Sequence, residues 1–126
     1  MSINFNSDSV FNLKEIDKES VRKDGKDLLI EGESIEMAFH TIRDQLVFTN
    51  KRIIAIDVQG ITGKKKDFTS MPYSKISVFS VETAGTIDLD SELELYFSGV
   101  GKIKFEFSGK SDIVQIGKLI SQYTLR

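Results

Sequence analysis

The spacing of apolar and polar positions changes period twice along the chain. Val10, Leu13, Ile16 and Val21 recur at roughly helical intervals, with Lys14, Glu15, Lys18, Glu19 and Arg22 between them. Ser7, Asp8 and Ser9 offer side-chain oxygens to the free N–H groups of a first turn, and Gly25 can end the element in a left-handed conformation. This pattern predicts an amphipathic helix over residues 9–24. The period then drops to two, with Ile35, Met37 and Phe39 alternating with Glu36, Ala38 and His40, which predicts a strand with one buried face. Six more strands are expected at about 45–49, 52–58, 66–70, 75–83, 92–98 and 102–108. Arg43-Asp44, Asn50-Lys51, Gln59-Gly60, Pro72 and Gly99-Val100-Gly101 separate them. Helical spacing returns at Ile113, Ile116, Ile120 and Tyr123, with Ser111 or Asp112 as the cap, and predicts a helix over 110–124. Gly117 inside it reads as a point where that helix approaches a sheet closely.

Parity tests the register. Leu93, Leu95 and Phe97 and then Ile103, Phe105 and Phe107 are all odd-numbered, so a loop of odd length puts them on one face. With Gly99-Val100-Gly101 as that loop, Phe97 faces Ile103, Leu95 faces Phe105 and Leu93 faces Phe107. A two-residue turn at Asn50-Lys51 pairs Phe48 with Ile53, Val47 with Ile54 and Leu46 with Ala55. That hairpin is then apolar on both faces, and something must cover the face made by Val47, Ile54, Ile56 and Val58. The N-terminal helix, the C-terminal helix and a second copy of the chain are the alternatives. The last of these makes Val47, Ile54, Ile56 and Val58 an oligomer contact.

The order helix, seven short strands, helix indicates an all-β sandwich or barrel bracketed by helices. The 126 residues suit one domain over 1–126, with a helical segment at 1–27, a β-barrel at 28–108 and a C-terminal helix at 109–126. With no cysteine, disulfides, a zinc knuckle and a thiol nucleophile are excluded, and a reducing, cytoplasmic setting is expected. The polar start predicts no signal peptide, and the longest apolar run, Ile53-Ile54-Ala55-Ile56, is far short of a membrane span. Seventeen basic against nineteen acidic residues leave a net charge of −2, which offers no footprint for duplex nucleic acid.

Four stretches, in order, carry a resemblance to the bacterial pleckstrin-homology domains. They are Leu29-Ile30-Glu31-Gly32-Glu33; Arg43-Asp44 with Phe48-Thr49-Asn50-Lys51-Arg52; Asp57-Val58-Gln59-Gly60 with Gly63-Lys64-Lys65; and Val81-Glu82-Thr83-Ala84-Gly85-Thr86-Ile87-Asp88-Leu89-Asp90-Ser91-Glu92. The resemblance implies a PH-like barrel of seven antiparallel strands in two near-orthogonal sheets, closed by a C-terminal helix, here with an additional N-terminal helix. It also implies a homo-oligomer, with rings as a form the family takes, and a ligand the family leaves unassigned. Eukaryotic relatives grip inositol phosphates with several cations around a long first hairpin loop. This chain offers there only Arg43, beside Asp44.

Candidate chemistry is sparse. Lys64-Lys65-Lys66 is the one basic run, and with Arg43 it could meet a phosphate or an anionic membrane. The plain alternative is a solvated turn. Asp88, Asp90, Glu92 and Glu94 fall at every second position, which suits a calcium ion in part. The glycine and terminal glutamate of an EF-hand loop are missing, so a solvated stretch near Lys102 or Lys104 is expected, with no metal and no cofactor. His40 is the single histidine and no nucleophile elbow accompanies it, so no enzyme is expected. The expected function is a binding or assembly module that self-associates. A lipid or phosphate binder is the alternative, and peptide capture at a strand edge a further one.

Overall fold

The computed structural model describes residues 3–5 and 9–126. Among them form eight strands and two α-helices: β1 (Ser9–Ile16), α1 (Lys23–Lys26), β2 (Ile35–His40), β3 (Gln45–Thr49), β4 (Arg52–Gln59), β5 (Lys65–Pro72), β6 (Ile76–Glu82), β7 (Ser91–Phe97), β8 (Gly101–Phe107) and α2 (Ile113–Thr124). The chain is mainly β with a C-terminal helix, as the periodicity predicted. Its described residues divide into two compact units, 15–72 on the one hand and 3–5, 9–14 and 73–126 on the other.

In the first unit β2, β3, β4 and β5 form an antiparallel meander. The pairing of β3 with β4 is the one that Asn50-Lys51 predicted: Phe48 with Ile53, Val47 with Ile54 and Leu46 with Ala55. Both faces are buried. One carries Phe39, Leu46, Phe48, Ile53 and Met71, with the Phe39 and Phe48 rings edge to face at 5.7 Å. The other carries Ala38, Val47, Ile54 and Ile56, packed with Val21 and with Ile16, Leu29, Ile35 and Phe68. A single stretch, residues 16–29, supplies much of that cover. α1 lies close over Ile56, because a Cβ on Gly25 would come within 2.8 Å of Ile56 Cδ1. Arg22 N–H donates to Gln45 Oε1 at 3.0 Å and holds the stretch against the start of β3.

The second unit contains residues 9–14 of β1 together with β6, β7, β8 and α2. β6, β7 and β8 are antiparallel neighbours, and β1 runs parallel to β8. Leu13, Leu93, Leu95, Ile103, Phe105 and Phe107 are fully buried. α2 buries Ile113, Ile116, Leu119 and Ile120, and Asp112 caps it by accepting from Gln115 N–H at 3.1 Å. Gly117 approaches β6 as expected: its missing Cβ would lie 3.3 Å from Val81 Cγ2.

Two expectations are corrected. Residues 9–24 are not one helix. They form β1, a single 3-10 turn at Lys18–Ser20 and the short α1, while the caps assigned to Ser7 and Asp8 lie outside the described residues. The cause is a bulge. From Val10 to Leu13 β1 advances three residues while β8 advances two, from Phe105 to Phe107, and Asn12 takes a left-handed φ of 58°. One extra residue in a two-residue repeat gives an apolar spacing of three, which imitates a helix.

The β7–β8 register is the second. Phe97 pairs with Gly101, Leu95 with Ile103, Leu93 with Phe105 and Ser91 with Phe107. The loop is Ser98-Gly99-Val100, with Gly99 at φ 76° and Val100 N–H donating to the Phe97 carbonyl at 3.0 Å. Gly101 serves another purpose: a Cβ there would collide with the Phe5 carbonyl, which accepts from Lys102 N–H. The register moves by two residues, so the buried face is unchanged.

Candidate functional site

Three of the four stretches that carry the resemblance act as clips. The turn before β2 meets the turn between β3 and β4 through Glu33 and Arg52. Glu33 Oε2 accepts from Arg52 Nε at 3.0 Å and from Thr49 Oγ1 at 2.7 Å. Glu33 Oε1 accepts from Arg52 Nη2 and from Ile30 N–H, each at 3.0 Å. The Glu33 side chain is fully buried. Burial would raise its carboxyl, but the bonds from Arg52, Thr49 and Ile30 outweigh it and hold the group below its ordinary value. Asn50 completes the clip: its Oδ1 accepts from Ser34 N–H and its Nδ2 donates to the Gly32 carbonyl.

A second clip joins two hairpin tips of the same unit, residues 41–44 between β2 and β3 and residues 60–64 between β4 and β5. Arg43 Nη2 donates to the Gly60 carbonyl at 2.5 Å, and Asp44 Oδ1 accepts from Val58 N–H at 2.9 Å. Burial, and then the nearby Asp57 carboxylate, push the Asp44 carboxyl up, although the Val58 bond works the other way. Arg43 is thus brought to the basic run, but as a brace. Lys64 and Lys65 are exposed there. Lys65 already opens β5, and Lys66 follows it in the strand and is half-buried. Lys66 lies opposite Val58, and its Nζ reaches Asp24 Oδ2 at 3.4 Å. Asp24 also meets Arg22 Nε at 3.2 Å. Its burial is more than offset by Arg22 and Lys66, so its carboxyl is lowered. Sequence reasoning passed over Ile42 and Ile61 on these tips, at 102% and 105% exposure. The available signal was a β-branched apolar residue where a turn prefers Gly, Asn, Asp or Pro.

The proposed oligomer contact is placed differently from expected. Val47, Ile54 and Ile56 are buried beneath residues 16–29 of their own chain and present no surface to a second copy, while Val58 is half-buried.

The acidic run divides. Asp88 and Asp90 lie in the exposed 83–90 loop, and Glu92 and Glu94 are in β7. Glu82, Glu92 and Glu106 stand opposite one another across β6, β7 and β8. Lys104 Nζ meets Glu92 at 3.3 Å, while burial and then Glu92 raise the Glu106 carboxyl. Among the described residues no group of three metal-ligating side chains is gathered. His40 is exposed at the end of β2. Beside α2, the edge strand β6 borders a groove of about 530 Å³ lined by Phe79, Val81, Ile113, Val114, Gly117 and Lys118, among others. Among the described residues no helix is long and apolar enough to cross a membrane.

Comparison with known proteins gives a consistent result. The bacterial PH domain family matches residues 4–124. The chain is 47% identical over 104 residues to the uncharacterized protein YjqA of Bacillus subtilis strain 168, covering 81% of this chain and 83% of that protein. It is similar to the crystal structure of a DUF1696 family protein with a pleckstrin-homology domain from Shewanella loihica PV-4, with 40% identity and a TM-score of 0.79 over 90% of this chain and 97% of that one. A pleckstrin-homology domain from Shewanella amazonensis SB2B is similar at 41% identity and a TM-score of 0.68, over 90% and 92% of the two chains.

Proposed function

We propose that this chain, which belongs to the bacterial PH domain family, is a non-catalytic binding and assembly module that self-associates through its open strand edges. The observation that carries the reading is β6. Among the described residues it pairs with β7 alone, exposing Val78 on one face while Phe79 and Val81 on the other line the groove against α2. An open edge presents a row of unpaired N–H and C=O groups, and an extended chain satisfies them by adding a strand. Among the described residues β5 likewise pairs only with β4. The two edges are unlike, so β5 of one copy meeting β6 of the next is a heterologous contact. Such contacts close into rings when the rotation allows. An enzymatic reading has nothing comparable behind it: the one histidine is exposed, and the carboxylates at β7 and β8 are engaged with Lys104 and with one another.

Light scattering on the native particle tests this. A mass above that of the monomer is expected, falling to the monomer in the double variant Val78→Lys, Ser80→Lys, at two exposed sites on the face of β6 away from α2. A wild-type protein that stays monomeric at every concentration overturns self-association. Capture of an added extended peptide by that monomer would leave the edge as a binding site for a different partner.

A further inference from the structure

We propose that the second unit holds a site for a small aromatic carboxylate, whose ring lies among Phe5, Tyr96 and Phe97 and whose charge meets Lys102. A cavity of about 300 Å³ opens where β6 begins, β7 ends and Phe5 passes the start of β8. The β6–β7 register slips between Ile76, which pairs with Phe97, and Val78, which pairs with Tyr96, so Ser77 is an extra residue in β6. Its hydroxyl donates to the Tyr96 carbonyl at 3.0 Å and fixes the bulge at the cavity wall. Phe5 is held as a second wall. Its carbonyl accepts from Lys102 N–H, and its ring meets Phe97 edge to face at 5.4 Å. Glycine at 101 is what leaves room for that passage, since a Cβ there would strike the Phe5 carbonyl.

The lining sets the class of ligand. Lys102 is its single charged residue, with the ammonium 5.9 Å from the centre of the Tyr96 ring. No carboxylate lines the cavity, so the local field favours an anion over an amine or a metal ion. The Tyr96 phenol donates to Glu94, which pins the ring beneath Lys102. The Ser98 hydroxyl, exposed at the rim, adds a donor. Phe5, Tyr96 and Phe97 supply flat apolar surface, which takes a ring stacked or edge to face. Ligand cavities run from roughly 300 to 1,000 Å³. This one stands at the lower limit, which suits one ring with its carboxylate and leaves out a nucleotide. A bare inorganic anion would use Lys102 and leave the rings idle, and an uncharged ring would do the reverse. An aromatic carboxylate uses both. The cavity shares no lining residue with the groove beside α2, so the site does not rest on self-association.

Titration of the whole chain with benzoate, followed through the backbone amide signals in nitrogen–proton correlation spectra, tests the site. Saturable shifts are expected at Ser77, Ser98 and Lys102, in the millimolar range that a ligand of one ring allows. Benzamide keeps the ring and loses the charge, while acetate keeps the charge and loses the ring. Each should bind about tenfold more weakly than benzoate. Lys102→Met keeps the apolar stem and removes the ammonium, and it should weaken benzoate about tenfold. Lys102 is exposed, so this variant should keep the wild-type circular dichroism spectrum. Shifts that fail to saturate, or that map away from these residues, overturn the site. Equal binding of benzamide and benzoate overturns recognition of the charge. Equal binding of acetate and benzoate reduces the site to an ordinary anion contact and also overturns it. Undiminished binding by Lys102→Met overturns the role given to Lys102.

Discussion

The Arg52 guanidinium takes the Glu33 carboxylate in a two-point grip, Nε to Oε2 and Nη2 to Oε1, both at 3.0 Å. The same guanidinium donates to the Leu28 carbonyl and the Ser70 hydroxyl. One side chain therefore ties the turn before β2 to β4 and β5. A lysine cannot reproduce that fork.

Arg52→Ala is expected to destabilise the protein by about 3 kcal/mol, because it leaves the buried Glu33 carboxylate without its cation. Arg52→Lys should recover only part of the loss. Urea unfolding of the three proteins measures the difference.

Glu33 also shapes the acid limb of stability. Its folded value is lowered from 4.5, so its contribution is complete above that value and is lost as pH falls through the folded one. Thermal melts from neutral to acid pH should show a shallower decline for Glu33→Gln than for the wild type.

Asp44 has the opposite sign. Its folded value is raised from 3.8 by burial and by Asp57. Its contribution is full below 3.8 and is lost as pH rises through the folded value. Asp44→Asn keeps an acceptor for Val58 N–H and removes the charge. Its Tm should exceed that of the wild type at pH 7, and the gap should close in acid. A variant less stable than wild type at neutral pH would contradict this account.

The β1 bulge makes Asn12 a local test. A β-branched residue resists the left-handed conformation found there. Asn12→Val should cost about 1–2 kcal/mol, and Asn12→Gly should be close to neutral. Chemical denaturation with unchanged m-values would place the effect in the folded strand.

Ile54→Ala should cost about 2–4 kcal/mol, since Ile54 is buried among Val21, Val47 and Ile56. The loss should not depend on protein concentration, because the cover belongs to the same chain. A concentration-dependent loss would return this face to an intermolecular contact.

The sequence alone determined the strand periods, the β3–β4 register and the C-terminal helix, and narrowed its cap to Ser111 or Asp112. These depend on neighbours a few residues apart, so side-chain alternation and turn chemistry report them directly. The odd parity of Leu93 to Phe107 likewise identified the buried face, although the pairing was two residues off. A slip of two preserves every inward side chain, so parity is blind to it. Tertiary contact chose between the two glycines, because the Phe5 backbone lies where a Gly101 Cβ would be. It also converted the apparent helix at Val10, Leu13 and Ile16 into a bulged strand, since a parallel partner ninety-five residues away in sequence, Ser9 to Lys104, is invisible to local spacing. The same holds for the candidate sites. Composition identified Arg43, Lys64, Lys65 and Lys66, but only the folded chain shows that Arg43 and Lys66 are engaged, that Val47, Ile54 and Ile56 are covered, and that Ile42 and Ile61 stand exposed. Charge and hydrophobicity belong to a residue; whether they are available to a partner is decided by what the rest of the chain places against it.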